Sequence, residues 1–439
     1  MLGFIFKRAL YGLLVLFGVV TVVFFIFNIK PGDPARMLSD QRANEQTLEA
    51  IRKDLGLDRP ILQRYLLYLN DIAPLSYNQL KDSESARYLD EDKYTVLAVI
   101  PLGSNALVLK LPYLRRSYQS QRKVTDIIKG AFPATFLLAT VAMGAAIIIG
   151  LILGIFAALG KGGAFDRSIL VVSVLGMAGP SFFMAVIIAW LGGYVWFEQV
   201  SIPLIPFYCV ALGFVFFYLK KQYRGRSKEF KMKDPEPKSA IAFSFNWFGI
   251  GVLYWMFAGA VNWYFKGSVL PFVDHYAYLP GTGLNMFGSM TDVDPFYGEH
   301  YELKNLILPA ITLGIRPLAI IVQLTRSSLL EVMGQDHIRT ARAKGLSESR
   351  IIIGHALKNS LNPVVTAVSG WFASLLAGAV FVEYVFDWKG LGLEVFNSLE
   401  KEDLPVVMGA VLVIAAIFVV VNIIVDIIYA WLDPRVRMH

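Results

Sequence analysis

Charge is scarce in this chain: Asp, Glu, Lys and Arg make up 17% of its 439 residues, against 56% that are apolar. The apolar residues lie in long uncharged blocks, which excludes a soluble fold with charges spread throughout. Cysteine is scarcer still. Cys209 stands alone inside an apolar block, so an intrachain disulfide and a thiolate metal site are excluded, and it reads as a small core residue. No Gly-x-x-x-x-Gly-Lys-Ser/Thr loop occurs, so the chain has no such cradle for ATP phosphates, and any energy of that kind comes from a partner. Enzyme signals are equally thin. Asp274–His275 and Glu299–His300 are adjacent pairs in a loop, with no third partner at ligand spacing, and read as solvated polarity.

What the chain has in quantity is membrane-spanning sequence. The uncharged blocks are Ala9–Ile29, Ala131–Leu159, Ser168–Phe197, Val200–Leu219, Ser239–Phe265, Ser360–Val382 and Leu404–Val425, each long enough to cross about 30 Å of hydrocarbon. An eighth, Asn305–Leu330, is interrupted by Arg316 and Arg326. The first block is too long for a cleaved signal peptide and lacks a small-x-small site before Pro31, so it reads as an anchor. The formal charge of +7 sits in short loops, as the positive-inside rule requires, and does not mark a nucleic-acid binder.

Three basic loops share the side of Lys7 and Arg8: Lys161 to Arg167, Lys220 to Lys238, and Arg339 to Lys358. Both termini are therefore expected in the cytoplasm. Segments 266–304 and 383–403 are acidic and belong outside, as does 30–130 by parity, although Arg115, Arg116, Arg122, Lys123 and Lys129 run against the rule there. Within 30–130, Glu45–Tyr68 has helical spacing broken by Gly56 and Pro60, while Tyr94–Ile100 and Ala106–Leu111 read as strands. The Lys220–Lys238 loop lacks an apolar face and reads as a solvated topogenic segment near anionic headgroups.

The most informative segment runs from His337 to Pro363 between two spanning blocks and reads as helix, turn, helix. Asp336 is a candidate N-cap, Ile338, Ala341 and Arg342 share a face, Gly345 breaks the run, and Ser347 can cap a second helix near Glu348. The small residues Thr340, Ala341 and Ala343 suit close approach to a partner's groove, with Arg339, Arg342 and Lys344 pairing acidic groups at its rim. An amphipathic helix resting on lipid headgroups fits the same pattern. Inside the eighth block, Arg316 lies about 16 Å along the helix beside Pro317. Such a charge faces a pathway, or serves a structural pair or a carbonyl freed at the proline. Asn422 and Gln323 read as interhelical hydrogen bonders, and Asp426 as an interfacial anchor.

Thr325 to Arg350, TRSSLLEVMGQDHIRTARAKGLSESR, resembles the EAA loop of ABC importer permeases in the form found in the dipeptide, oligopeptide and nickel transporter family. Pro31-Gly32-Asp33-Pro34, Leu55 to Pro60 with Tyr65, Trp388 with Gly390-Leu391-Gly392, and Asn422 through Asp426 to Asp433-Pro434-Arg435 also match, in family order, and resemble the B-type permease of the pair. Arg339 and Thr340 stand where the general pattern begins with Glu, as is usual in this subfamily, and Gly345, His355, Leu357 and Asn359 take the later positions.

The resemblance implies an all-α polytopic membrane protein with the type I ABC importer permease fold. About six core helices are expected, plus a two-helix hairpin inserted over 199–265 and a small extracytoplasmic subdomain over 31–130. The remaining divisions are 1–30, 131–198, 266–304 and 305–439, with the EAA loop at 331–360. It implies a bacterial inner-membrane transport subunit that pairs with a second homologous permease, above two ATP-binding subunits and below an extracytoplasmic substrate-binding protein, in contact with lipid. The chain binds no cofactor itself; ATP and magnesium belong to the partners. Gln335, Asp336, Ile338, Arg339, Thr340, Ala341, Arg342, Ala343, Lys344 and Gly345 would form the coupling helix, and Arg316 and Gln323 are the pathway candidates. The rival readings are a membrane-embedded enzyme acting on lipid or peptide, which lacks convergent polar residues, and a scaffold recruiting cytosolic proteins, which leaves the 337–363 pattern unexplained. Lys389 replaces the usual proline of the WPGLG-like turn.

Overall fold

The computed structural model describes residues 2–29, 56–80, 87–90, 93–226, 237–266, 270–271, 276–289, 291–294 and 298–432, with Glu45, Glu49, Arg52 and Ser85. Side chains 2–5, 216–246, 292–301, 373, 377–378, 425–426 and 428–432 fall outside it. Pro31–Pro34, Leu55, Asp274–His275, Asp433–Arg435 and the side chains of Lys220–Lys238, Glu299–His300 and Asp426 therefore lie outside the described residues. The chain divides into two units, Met1–Trp190 with Asn285–His439, and Leu191–Leu284.

The first unit opens with α1, Leu2–Ile29. After Gly56, whose φ of +66° ends a turn no L side chain favours, α2 runs over Ile61–Ile72. Three strands follow, β1 at Leu75–Gln79, β2 at Val96–Leu102 and β3 at Asn105–Lys110, forming one antiparallel sheet in the order β1-β3-β2. The first strand was not expected from the sequence. The second runs past Pro101, which an edge strand tolerates, and turns at Gly103, φ +77°.

This subdomain is closed by a charged hub. Asp71, 5% exposed, accepts a hydrogen bond from the Tyr94 hydroxyl at 2.6 Å and pairs with Lys93 and Arg115, each at 3.2 Å. Arg115 also lies over the Tyr68 ring, so a base that ran against the positive-inside rule is used in packing. Lys110 is 1% exposed, with its Nζ 3.5 Å from the Tyr94 ring centroid and no hydrogen-bond acceptor among the described residues. Burial pushes its ammonium down to about 8. The folded chain thus releases this proton before the unfolded chain does, and stability should rise with pH above about 8. The window closes near pH 10, where unfolded tyrosines ionise but Tyr68, pushed up by burial to about 12, stays protonated. Lys110→Met is expected to flatten the rise and to raise stability at pH 7 by roughly 1–3 kcal/mol, less the lost ring contact. Thermal melts in detergent from pH 7 to 9.5 check this; a wild-type midpoint independent of pH over that range counts against it.

α3, Val124–Leu159, begins seven residues before its apolar block, with Asp126 in the first turn, where the helix dipole favours an acid. The block Ser168–Phe197 is not one straight span. It forms α4, Ala164–Ala178, and α5, Ser181–Trp190, continued by a π turn at Leu191–Val195, with a 110° bend at the break. Pro180, without an N–H, stands in that break and stops the helix.

In the second unit, β4 (Val200–Pro203) precedes α6 (Ile205–Arg226), and α7 (Pro237–Tyr264) precedes β5 (Tyr276–Leu279). The strands pair antiparallel. Gly213 lies against Trp247, and Gly251 against Pro206 and Cys209, so α6 and α7 form an antiparallel hairpin.

Back in the first unit, a short antiparallel pair, β6 at Thr291–Asp294 and β7 at Gly298–Tyr301, interrupts the expected acidic loop. α8, Ile307–Met333, is continuous through Arg316, Pro317 and Arg326. Then come α9, Asp336–Ala343; α10, Glu348–Ile351, joined by a π turn to α11, Leu357–Ser360; and α12, Asn362–Gly378, bent by 55° from α13, Val380–Phe386. The chain ends with α14, Leu391–Glu400, and α15, Leu404–Leu432. Among the described residues four helices are long and apolar enough to cross a membrane, six if each bent pair counts as one.

The axis of this unit is α3 against α8. Gly150 and Gly154 face Ile321 and Thr325; a Cβ on Gly154 would lie 2.6 Å from Thr325 Cβ and 2.9 Å from Val322 O. Only glycine permits that approach, the means by which spanning helices associate without a hydrophobic driving force. Ala142 meets Gly314 and Gly150 meets Ile321, so the two helices run parallel, as the counted crossings require. Gly12 lies against Val419, while Val20 and Phe24 cluster with Met408. α1 and α15 are therefore antiparallel, with the start of α1 and the end of α15 at the same end of the pair.

Candidate functional site

α9 is a two-turn helix that follows α8 after Gly334 and shares a cluster with its last turns. Gln335, not the expected Asp336, occupies its N-cap position, and Asp336 is the first helical residue; Ser347 stands at the N-cap of α10 as expected, but no side chain makes a capping bond at either place. Ile338 and Ala341, 0% and 6% exposed, enter a cluster with Ala158, Leu329, Val332, Ile351 and Ala356. Arg342, expected on the same face, is exposed: it lies about 100° round the helix from Ala341, on the opposite flank of Ile338. Ala341 thus seats the helix on its own chain, and the exposed residues of this stretch are Gln335, Asp336, His337, Arg339, Thr340, Arg342, Ala343, Lys344 and Gly345.

The turn that follows is fixed twice. Gly345 has φ +75°, and the Arg342 guanidinium donates from Nε and NH2 to the two carboxylate oxygens of Glu348 at 2.8 and 3.3 Å. Arg342 was expected to pair outside the chain; instead it holds the Glu348 carboxylate below its ordinary range and ties α9 to α10. Among the described residues Arg339 reaches only Asp336, at 3.3 Å, and is 73% exposed at its side chain. His355 and Asn359 are exposed, Leu357 half-buried.

α8 links this end to the middle of the unit. Its Arg326 grips Asp166, the 2%-exposed acid of α4's first turn, with NH2 to Oδ2 at 2.9 Å and Nε to Oδ1, while Gly162 N donates to Oδ2 at 2.8 Å. No local pattern pairs these two residues, which lie 160 positions apart. Two turns apart on α8, Arg316 and Gln323 both face α4: Gln323 Nε2 reaches Met177 Sδ at 3.6 Å, and Arg316 NH2 donates to Gly179 O at 2.9 Å. The carbonyl it meets is freed at Pro180 in the α4–α5 break, not at its own neighbour Pro317. Asn422 bonds Phe418 O in its own helix, and so does not bridge helices.

At the far end, Glu383 of α13 is wholly buried. It accepts from the Thr135 hydroxyl at 2.6 Å and from Leu393 N at 3.0 Å; Thr135 Oγ1 in turn accepts from Leu391 N at 2.7 Å, and Trp388 Nε1 donates to Ala134 O. Gly390 packs so tightly here that a Cβ would lie 2.5 Å from both Glu383 and Thr135. Lys389 N donates to Ser289 Oγ at 3.1 Å, a bond the usual proline could not make. Asp403, in the acidic segment 383–403, is 4% exposed and accepts from Tyr118 N at 2.9 Å.

A helical membrane unit with an exposed helix–turn–helix at one end and a broken span at its middle is the architecture of a transport subunit. Residues 150–438 match the family described as binding-protein-dependent transport system inner membrane component, and residues 1–83 its N-terminal companion. The chain belongs to this family of ABC importer permeases and has the type I permease fold. It is a multi-pass inner-membrane transport subunit, not an enzyme. It is similar to the di/tripeptide transport system permease protein of Pseudomonas aeruginosa, 31% identical with 100% of this chain and 99% of that one covered, and to the dipeptide transport system permease protein of Escherichia coli K12, 29% identical with 100% and 99% covered. A third relative, the dipeptide transport system permease protein of Haemophilus influenzae, is 54% identical over 135 residues, 31% of this chain and 40% of that one.

Proposed function

We propose that this permease carries peptides of two or three residues, or solutes of similar size and polarity, with α9 as the helix that receives the stroke of an ATP-binding subunit. The observation that carries the second part is the division of α9 into two faces: Ile338 and Ala341 rooted in the chain's own core, and Arg339, Thr340, Ala343 and Lys344 exposed. A helix anchored by its apolar side and rigidly turned at Gly345 transmits a push instead of absorbing it. Peptide cargo is supported by the names of the two relatives that align over nearly their whole length. A second homologous permease, two ATP-binding subunits with ATP and magnesium, and a substrate-binding protein complete the assembly, with both termini and α9 in the cytoplasm. Arg316 and Gln323 face the pathway, and the Leu191–Leu284 unit contains the inserted hairpin.

The test is assembly and contact. Purified in mild detergent, the chain is expected to bring an ATP-binding subunit with it, and a cysteine at Arg339 to crosslink to that subunit while one at Ile338 does not. Absence of any ATP-binding subunit sinks the importer assembly; equal crosslinking at both positions sinks the two-faced helix.

A further inference from the structure

We infer that Arg316 and the α4–α5 break form a carboxylate subsite, which receives the C-terminal carboxylate of a small peptide in transit; this rests on the peptide-import reading above.

An arginine inside a spanning helix is costly unless an anion or a polar cavity compensates it. Arg316 lies nine residues into α8, and its only hydrogen bond among the described residues is the neutral one to Gly179 O. Its Nε is buried without an acceptor, and no described carboxylate pairs with it. The guanidinium is therefore held in place by one N–H and left with donors in the fork geometry that matches a carboxylate. The Gly179 bond uses the carbonyl exposed by the bend, so the break in the span is what aims the side chain.

The space it lines is suited to that ligand. A cavity of about 70 Å³ is bounded by Gly176, Ser181, Thr312, Arg316, Trp371 and Ser374, room for a carboxylate but not for a whole peptide. It shares Gly176, Met184 and Ile315 with an adjoining cavity of about 740 Å³, lined mainly by apolar side chains such as Val172, Phe183 and Leu318, which is within the size range of small-molecule sites. One charged end and a large apolar chamber match a short peptide with a free C-terminus and varied side chains. Ser181, at the cavity wall, also begins α5, so the positive end of that half-helix adds to the field, an arrangement broken helices use for anionic groups. Gly176 keeps the passage open: a Cβ there would meet Ile315 at 3.0 Å.

The complete transporter in proteoliposomes, supplied with saturating peptide-loaded binding protein, tests the subsite with two cargoes, a dipeptide acid and its C-terminal amide, scored as uptake per loaded binding protein. Wild type is expected to move the acid about tenfold faster than the amide, the order of loss when a buried charged donor goes unmet. Arg316→Gln should reduce that ratio to about one, and Arg316→Lys should restore part of it. A wild-type ratio near one overturns the inference without any variant. So does an unchanged ratio in Arg316→Gln, the result expected if an acid of the second permease pairs with Arg316. Failure of wild type to take up either cargo with ATP is a different result, against the peptide-import reading itself.

Discussion

Ile338→Asp is expected to cut ATP-driven uptake by at least about 100-fold, because an unpaired carboxylate in a packed cluster costs several kcal/mol, while the chain still inserts. Ile338 is wholly buried between α8, α10 and the π turn. The surrounding groups are Leu329, Val332, Ile351 and Ala356, none of which can pair with a charge. The cheapest escape is for the two-turn α9 to lift away, since a helix this short is not stable alone. The spanning helices α3 and α8 contribute Ala158, Leu329 and Val332 to that cluster but are also joined outside it, at Gly150, Gly154 and Gly314. ATPase activity therefore survives detached from transport. Ile338→Leu, which nearly conserves volume, should keep most uptake. Uptake and ATPase assays on the same proteoliposomes decide it, and uptake in Ile338→Asp within threefold of wild type would show that α9 need not be seated.

The helix–turn–helix around Gly345 was legible in the sequence because its signals are local: a glycine where φ must be positive, a serine before Glu348, small residues between. What buries one side of α9 was not legible, since Ile338 and Ala341 are covered by residues of α3, α8 and α10 that no helical period connects to them. The bend between α4 and α5 had a signal in Gly179-Pro180, a dipeptide that punctuates helices, but an uncharged run reads as a span by length whether straight or broken. The ion pair Asp166–Arg326 and the Glu383–Thr135 bond join residues 160 and 248 positions apart, and only the packed fold brings them together. The buried acids Glu383 and Asp403 were hidden for a further reason: they share the segment 383–403 with the exposed Glu400 and the half-buried Glu394 and Glu402, so composition gives all of them one character.

Glu383→Ala is expected to destabilise the chain by about 2–6 kcal/mol, from two buried donors left unmet at about 1–3 kcal/mol each. Those donors are the Thr135 hydroxyl and Leu393 N. The space left by the side chain adds to the loss, because Gly390 and Gly392 pack directly on it and cannot extend side chains to fill it. Glu383→Gln keeps an acceptor oxygen but brings an NH2 into a site whose neighbours all donate, so it should fall between wild type and alanine. Thr135→Val removes the donor to Glu383 and the acceptor for Leu391 N together, and the two residues act as one network. The double variant should therefore cost clearly less than the two single changes summed. Thermal unfolding of the four proteins in one detergent measures this. Additive losses would mean that Thr135 and Glu383 stabilise the turn independently. A Glu383→Ala midpoint equal to wild type would mean that Trp388 and its bond to Ala134 O hold α13 and α14 against α3 without the glutamate. The predicted loss follows from placement: the network joins the start of α14 to α3, the helix that α8 packs along, so the turn at Trp388 fixes one end of the same axis whose other end bears α9.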